Sequence, residues 1–349
     1  MSDALILARQ FRARLLQQDA AAQDEILRAY EKLWVRLSAE IERVAQQIAE
    51  AGNSPSLIFE QQRLQHLQDQ LALEIDRVSS FASNVTVRNQ SAVIKAARLQ
   101  AVELMRAAGS DAGARVAFAS LATDELTHLV GIARDGSPVA DMFKQLARVM
   151  KLESSDVIKD QLLQGMALGS NPRTIARRIR QQVDDRSNAQ TDPRIARRLN
   201  MAMREQVFGA YNEATRLGYE QNAQLLEGWV WTARRSPTTC IICWALDGTI
   251  FPAGAPKISH IGCQCTMRPL LPGQSPGEAG PDAFAKLEIG VQRSILGDTA
   301  FSAYESGMLE LKDFVGFRSD YRWGDSRYRR SLEDILGRAT VRKLRSPQK

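Results

Sequence analysis

The stretch CIICWALDGTIFPAGAPKISHIGCQC, from Cys240 to Cys265, contains all four cysteines of the 349-residue chain and one of its three histidines. Cys240 and Cys243 have the two-residue spacing that lets two thiolates on a tight turn face one ion. Cys263 and Cys265 end the stretch, and His260 stands just before them. Five candidate ligands therefore surround what we expect to be a four-coordinate metal site.

Zinc fits this ligand set best, because thiolate and imidazole ligands in a tetrahedral arrangement suit Zn²⁺. A small α+β unit with few apolar residues also needs the folding energy that a structural ion supplies. Disulfides, iron–sulfur ligation and buried free thiols are the alternatives. The sequence leaves open whether Cys263 or Cys265 joins Cys240, Cys243 and His260 as the fourth ligand.

The composition is that of a soluble, helix-rich protein, with 44% hydrophobic, 25% charged and only 6% aromatic residues. No run of about 18 apolar residues predicts a membrane span. Charged residues, Asp3 and Arg9, interrupt the apolar run near the N-terminus, so we expect no signal peptide. A reducing cytosol follows as the expected compartment, and there clustered cysteines more often hold a metal than form disulfides.

A long amphipathic helix is predicted near the N-terminus, where apolar residues alternate at three- and four-residue spacing. They are Leu27, Tyr30, Trp34, Leu37, Ile41, Val44 and Ile48. The break AGNSPS at 51–56 is followed by a second apolar stripe from Leu64 to Val78, so a helical hairpin is expected. The stripe fits packing within the hairpin, with an intermolecular coiled coil as the alternative. His66 and His128 lie on predicted helices and receive no chemical role.

Further helices are predicted over 90–165, with breaks at 107–114 and 133–138. Two arginine-rich helices then begin at Pro172 and Pro193, with Asn171 and Asp192 placed to cap them.

The residue pattern changes from helical to strand-like at 225–235, where Trp229 and Trp231 flank Val230 in a predicted strand. The Asp247-Gly248 pair signals a hairpin, with 249–251 as its return strand. After a Gly- and Pro-rich linker at 271–281, short helices and a basic C-terminal helix ending in a tail are expected.

These patterns predict a mainly α-helical fold with a small zinc-stabilised α+β module near the C-terminus. The expected division is an N-terminal helical hairpin at 1–90, an arginine-rich helical region at 91–224, the zinc module at 225–270, and a linker, short helices and basic tail at 271–349.

Arginines concentrate between residues 173 and 204, and eight of them are candidates for contacting DNA phosphates. They are Arg173, Arg177, Arg178, Arg180, Arg194, Arg197, Arg198 and Arg204. Such contacts would be independent of base sequence. The alternative is a solvated helical face on which Asp184, Asp185, Asp192 and Glu205 neutralise the arginines within the fold.

The run GWVWTARRSPTTCIICWALDGTIFPAGAPKISHIGCQCTMRPLLP resembles the C-terminal signature of the phage head morphogenesis family, the minor head proteins related to protein F of phage Mu. The shared pattern is a Trp-bearing strand, a C-x-x-C knuckle, the Leu-Asp-Gly turn at 246–248, an H-x-x-C-x-C close and a following proline, here Pro269. Ile261 stands where the family usually has proline, and Gln264 where it has arginine. The resemblance covers about residues 160–317.

The resemblance implies a structural minor head protein of a tailed bacteriophage, found in the virion inside the capsid near the portal and in the host cytoplasm during assembly. Its implied partners are the portal protein and other head or procapsid proteins, and its implied roles are head morphogenesis and DNA packaging or ejection. The contact with the portal or with neighbouring copies is expected from residues 1–90, with Tyr30 and Trp34 as anchors. A zinc-containing nucleic-acid-binding regulatory protein is the competing class.

The sequence predicts no enzyme. No histidine is followed by the H-x-E glutamate of zinc deaminases, and the chain has no G-x-x-x-x-G-K-[ST] phosphate loop, no G-x-S-x-G and no H-E-x-x-H. Two close cysteine pairs with a histidine also leave no open coordination position for a catalytic water.

Overall fold

Helices make up most of the protein, and the mainly α fold predicted from the sequence is confirmed by the computed structural model. The structure describes residues 2–50, 57–113, 117–122, 124–168, 170–184, 194–320 and 324–345. The described α-helices are α1 (Asp3–Glu50), α2 (Leu57–Asp111), α3 (Val139–Ala167), α4 (Pro172–Asp184), α5 (Arg194–Gln221), α6 (Ile241–Leu246), α7 (Gly280–Ala285), α8 (Ile289–Leu296), α9 (Asp298–Glu305), α10 (Leu332–Leu336) and α11 (Arg338–Arg345). Within these ranges, no helix is long and apolar enough to cross a membrane.

Two small antiparallel sheets lie in the C-terminal part. The strands are β1 (Gly228–Thr232), β2 (Ile250–Phe251), β3 (Thr266–Leu270), β4 (Val315–Asp320) and β5 (Gly324–Arg329). The first sheet has the order β2-β1-β3, and the second is the pair β4-β5. In the first sheet Trp229 lies opposite Phe251 on one side and Pro269 on the other.

The chain divides into two compact units. One unit consists of residues 1–17, 90–130 and 208–349, and the other consists of residues 18–89 and 131–207. Both are assembled from segments that are distant in sequence. The four-part division expected from the sequence remains a prediction.

The second unit contains residues 18–89 of the helical hairpin that was predicted over 1–90. Gln18 donates a hydrogen bond to Asn89 across 3.0 Å, and Arg36 pairs with Glu74 further along. Residue numbers thus rise on α1 as they fall on α2, which is the antiparallel arrangement expected of a hairpin. The segment 51–56, predicted as its turn, lies outside the described residues, and α2 runs through residue 90 to Asp111.

Five residues of the apolar stripe on α1 are buried: Tyr30, Trp34, Leu37, Ile41 and Val44. Tyr30 has no exposed surface and Trp34 has 1%, and their rings meet edge to face at 6.4 Å. Packing within the chain therefore uses the stripe, as the hairpin interpretation expects. The prediction that Tyr30 and Trp34 anchor a partner is wrong for this arrangement, because neither ring is available to another protein.

Other boundaries follow local signals. Asn171 Oδ1 accepts a hydrogen bond from the Arg173 backbone at 2.9 Å, so α4 begins at Pro172 as its cap predicts. The second predicted cap, at Asp192 and Pro193, lies outside the described residues.

Close packing of α3 on α4 requires glycine at residue 165, because a Cβ there would lie 2.5 Å from Ile175 Cγ1.

Two predictions of local structure are wrong. The Asp247-Gly248 turn follows the short helix α6 and not a strand, although its return strand β2 pairs with β1 as expected. The basic C-terminal helix was predicted to begin at Arg327, but 324–329 form β5 and the next helix, α10, begins at Leu332. Glycine at residue 316 on β4 lets the Tyr328 ring of β5 pack directly over the backbone. A Cβ at residue 316 would lie 2.6 Å from Tyr328 Cζ.

Candidate metal centre

The C-x-x-C knuckle sits at the start of α6. Cys240 is the residue before the first turn, in an extended conformation, and its carbonyl accepts a hydrogen bond from the Trp244 backbone at 3.1 Å. Cys243 lies in the first turn and is buried. One helical turn thereby directs both sulfur atoms toward the same space.

The opposite side of the centre is the loop before β3. The Cys263 backbone donates to the His260 carbonyl at 3.2 Å, and Gly262 between them has a φ of 74°. A side chain would strain this conformation, so glycine suits the turn. Cys265 immediately precedes β3, and the pairing of β3 with β1 fixes its position.

The five predicted ligands come together. His260 Nε2 lies 3.1 Å from the sulfur atoms of both Cys240 and Cys243, and the Cys243 and Cys263 sulfur atoms are 3.7 Å apart. Cys243 belongs to two triads, one with Cys240 and His260 and the other with Cys263 and Cys265, each with its ligand atoms within 4.8 Å of one another. Zn–S bonds of about 2.3 Å in a tetrahedron place two sulfur atoms about 3.8 Å apart. The cluster could therefore hold a metal ion.

The segment around this cluster matches a known family. Residues 156–268 match the family model described as Phage Mu protein F like protein. The match confirms the resemblance to phage head proteins over roughly a third of the chain, and it includes all five candidate ligands. No curated protein and no solved structure matches the chain.

In this Mu F-like segment, residues 156–268, His260 is oriented as a metal ligand needs to be. Its Nδ1 lies 2.9 Å from the Ile261 carbonyl oxygen, to which an Nδ1–H can donate. With a proton on Nδ1, the Nε2 atom on the knuckle side is the one that would serve as the ligand atom once an ion is bound. Backbone carbonyls commonly orient metal-binding histidines in this way.

Protons are strongly redistributed within the cluster when no ion is bound. A hydrogen bond with Cys243 lowers the pKa of Cys240 to about 5, against the opposing effect of burial. Burial lowers the pKa of His260, but hydrogen bonds to Cys240 and Cys263 outweigh it and raise the pKa to about 11. The cluster thus favours a thiolate beside an imidazolium. An ion bound to these ligands would displace such protons.

Two cations that sequence patterns did not predict lie beside the cluster: Lys257 contacts a sulfur atom, and Arg12 interacts electrostatically with Cys265. Lys257 Nζ is 3.7 Å from Cys263 Sγ and 4.2 Å from the centre of the Trp231 ring. Arg12 is buried and donates to the carbonyls of Thr232 and Ala233, at 3.3 and 2.9 Å, where β1 ends. No spacing signal links Arg12 to the cysteines, because it belongs to α1.

Asp247 supports the same end of β1 from the other side. Its buried carboxylate accepts a hydrogen bond from the Ala233 backbone at 2.8 Å and another from Arg235, which has an unusual φ of 52°. The next residue, Gly248, has a φ of 85° and donates from its backbone to the Trp231 carbonyl. The Leu-Asp-Gly turn therefore joins the end of α6 to the central strand.

The candidate DNA-contacting arginines occupy different environments. Arg177 is exposed, whereas Arg178 and Arg197 are half-buried; the side chain of Arg194 lies outside the described residues. The other four pair with carboxylates. These pairs are Arg173–Glu42, Arg180–Glu31, Arg198–Glu153 and Arg204–Asp19.

The carboxylates in these pairs differ from those proposed as neutralising partners in the sequence analysis. Glu205 pairs with Arg134, while the Asp184 side chain, Asp185 and Asp192 lie outside the described residues. Long-range pairing of this kind cannot be read from neighbouring charges along the sequence.

Proposed function

We propose that the chain is a structural, non-enzymatic minor head protein of a tailed bacteriophage that acts in head morphogenesis. One observation carries the proposal: the segment matching Phage Mu protein F like proteins contains the assembled cysteine–histidine cluster. A cluster of this kind stabilises a small fold when every coordination position is taken by a protein ligand. Its role in the head is thus to keep a rigid module in shape.

The ion in this proposal is a structural Zn²⁺. Thiolate and imidazole ligands suit zinc, and the 3.7 Å separation of the Cys243 and Cys263 sulfur atoms is close to the edge of a zinc tetrahedron. We propose Cys240, Cys243, His260 and Cys263 as the ligands, with Cys265 beside them. Bound zinc would join α6 to the loop before β3.

The finer parts of the role concern location and partners. We propose a position inside the capsid near the portal, contact with the portal protein and other head or procapsid proteins, and a part in DNA packaging or ejection. Assembly in the host cytoplasm precedes this. Internal ion pairing of Arg198 and Arg204 makes the competing role, a nucleic-acid-binding regulator, less well supported.

Mass spectrometry of purified virions tests the proposal. We expect peptides of this chain in intact particles at a constant ratio to the portal protein, and about one zinc per chain in the purified protein by elemental analysis. Detection in infected-cell lysate alone, with particles free of the chain, would contradict a structural role in the head. Folded chain without zinc would contradict the metal assignment separately.

A further inference from the structure

The β4–β5 hairpin packs against the loop that carries His260. The backbone N–H of Arg327 on β5 donates to the Ser259 carbonyl at 3.3 Å, and its side-chain Nε donates to the Ile258 carbonyl at 3.1 Å. Ser259 and Ser326 are both buried at this contact. One residue of the hairpin thus binds the two carbonyls immediately before the histidine ligand.

Residues 255–260 form neither helix nor strand. The backbone N–H groups of Ala255, Ile258 and Cys263 donate to the carbonyls of Pro252, Pro256 and His260, and Trp229 Nε1 donates to the Ala255 carbonyl. None of these four bonds engages the carbonyls of residues 258 and 259. A buried carbonyl without a partner is unfavourable, so the Arg327 bonds favour one conformation of the loop. His260 is the next residue, so the conformation of 258–259 sets the position of its backbone.

We propose that Arg327 is a positioning residue for the metal centre, holding 258–259 so that His260 Nε2 stays directed at Cys240 and Cys243. The inference rests on the proposed metal function and adds a part to it: the centre depends on a hairpin C-terminal to the Mu F-like segment. The metal module would then extend beyond 225–270 to include β4 and β5.

Arg329 provides a matched control on the same strand. It lies two residues further along, on the same face of β5, and its Nη2 also donates to a backbone carbonyl, that of Leu296 at 2.8 Å. Its guanidinium lies over the Phe314 ring, 5.3 Å from the centre. Replacing either arginine by methionine removes one charge and one side-chain bond to a carbonyl, but only Arg327 contacts the ligand loop.

The experiment uses the full chain as wild type and as Arg327→Met, Arg327→Lys and Arg329→Met. Zinc-loaded protein is mixed with a chromophoric chelator, and the rate of zinc release is measured. We expect release to be about tenfold faster in Arg327→Met, at the lower end of the roughly 10- to 100-fold loss of metal affinity seen when the groups that orient a ligand are changed. Arg327→Lys should restore part of the difference, and Arg329→Met should release zinc at nearly the wild-type rate.

Hydrogen–deuterium exchange of 256–263 in the metal-free chain gives a second readout. We expect faster exchange there in Arg327→Met and unchanged exchange in Arg329→Met, because the bonds to the loop exist without the ion. If the wild type binds no zinc, the proposed metal function fails, and exchange alone decides whether Arg327 orders the loop.

Equal release and exchange in Arg327→Met and wild type would overturn the proposal, as would equal effects of the two methionine variants. Circular dichroism establishes that each variant is folded. If Arg327→Met does not fold, Arg327→Gln provides the comparison, because its shorter amide cannot reproduce the guanidinium contact yet remains polar. Wild-type rates in Arg327→Gln would overturn the proposal equally.

Discussion

At the residue scale, cysteine and histidine spacing predicted which candidate ligands lie together, but it could not predict the residues that support them. Cys240 and Cys243 are adjacent on a helical turn, so their spacing in sequence translates directly into spacing in space. Arg12 and Arg327 reach the same region from elements far away along the chain. Their carbonyl partners are backbone atoms, which leave no residue-type signal. Spacing therefore predicts the cluster and not what surrounds it.

The choice between Cys263 and Cys265 as fourth ligand is testable by substitution. We expect Cys263→Ser to lose most of its zinc, and Cys265→Ser to retain about one zinc per chain. The reason is that the Cys263 sulfur lies 3.7 Å from that of Cys243, next to the Lys257 ammonium. Elemental analysis after gel filtration measures both. Full zinc in Cys263→Ser with loss in Cys265→Ser would reverse the assignment.

At the element scale, periodicity predicted the long helices well because their apolar stripes are buried, as on α1. The β4–β5 hairpin was missed because arginines obscure its alternation. Arg318 donates a hydrogen bond to Ser326 Oγ within the strand pair, whereas Arg327 and Arg329 donate to the backbone carbonyls of Ile258 and Leu296, which are distant in sequence. A charged segment thus forms a strand pair that its composition does not indicate.

The α1–α2 hairpin should lose stability in acid through Glu74. Burial raises the pKa of this carboxyl, but hydrogen bonds from Arg36 and Arg77 outweigh it and lower the pKa below its ordinary value. A lowered folded-state pKa gives stability that is present above the ordinary glutamate value of about 4.3 and is lost as the pH falls through the folded value.

Glu74→Gln should therefore weaken the dependence of the thermal midpoint on pH in this acid range. Glu25→Gln is the control, because Glu25 and Arg88 form an exposed pair across the same two helices, and exposed pairs contribute little. Thermal melts between about pH 3 and pH 7 measure both. The same acid sensitivity in Glu74→Gln and wild type would contradict the prediction.

If the protein contacts DNA through its arginine-rich helices, Arg177 and Arg178 on α4 are the candidates to test, because Arg177 is exposed and Arg178 is half-buried. We expect weak, sequence-independent binding to random duplex, with a steep salt dependence. Replacing Arg177 and Arg178 together by Gln should reduce the slope of log affinity against log salt by about 2, since two phosphate contacts are lost. Arg198→Gln should change it little, because Glu153 already engages Arg198. Fluorescence anisotropy across a salt series measures the slope. No detectable binding at low salt would show that this surface does not bind DNA.

At the whole-molecule scale, the two compact units could not be predicted from the sequence, because each combines segments that are far apart along the chain. Local patterns divided the chain in sequence order, whereas one compact unit unites 1–17 with 208–349. Deleting 1–90 would remove Ala8, Phe11 and Arg12 from that unit. A portal contact through the N-terminal helices is therefore better tested with surface substitutions than by truncation.

Val35 and Leu73 are exposed apolar residues on α1 and α2, at 73% and 43%. If residues 18–89 contact the portal protein, Val35→Glu combined with Leu73→Glu should reduce co-purification with the portal severalfold, because a buried charge weakens an interface. Leu152→Glu on α3 is the control, since Leu152 is also 73% exposed. Unchanged recovery of the double variant, or an equal loss with Leu152→Glu, would place the contact elsewhere.

The hydrogen bonds between Arg12 and the end of β1 limit when this part of the chain can fold during synthesis. Its partners Thr232 and Ala233 are synthesised 220 and 221 residues after Arg12. At about 5–20 residues per second, a ribosome needs roughly 10 to 45 s to reach them. During that interval the buried face of the first helical turns has no strand to pack on. This contact can therefore form only after about two thirds of the 349-residue chain has been synthesised.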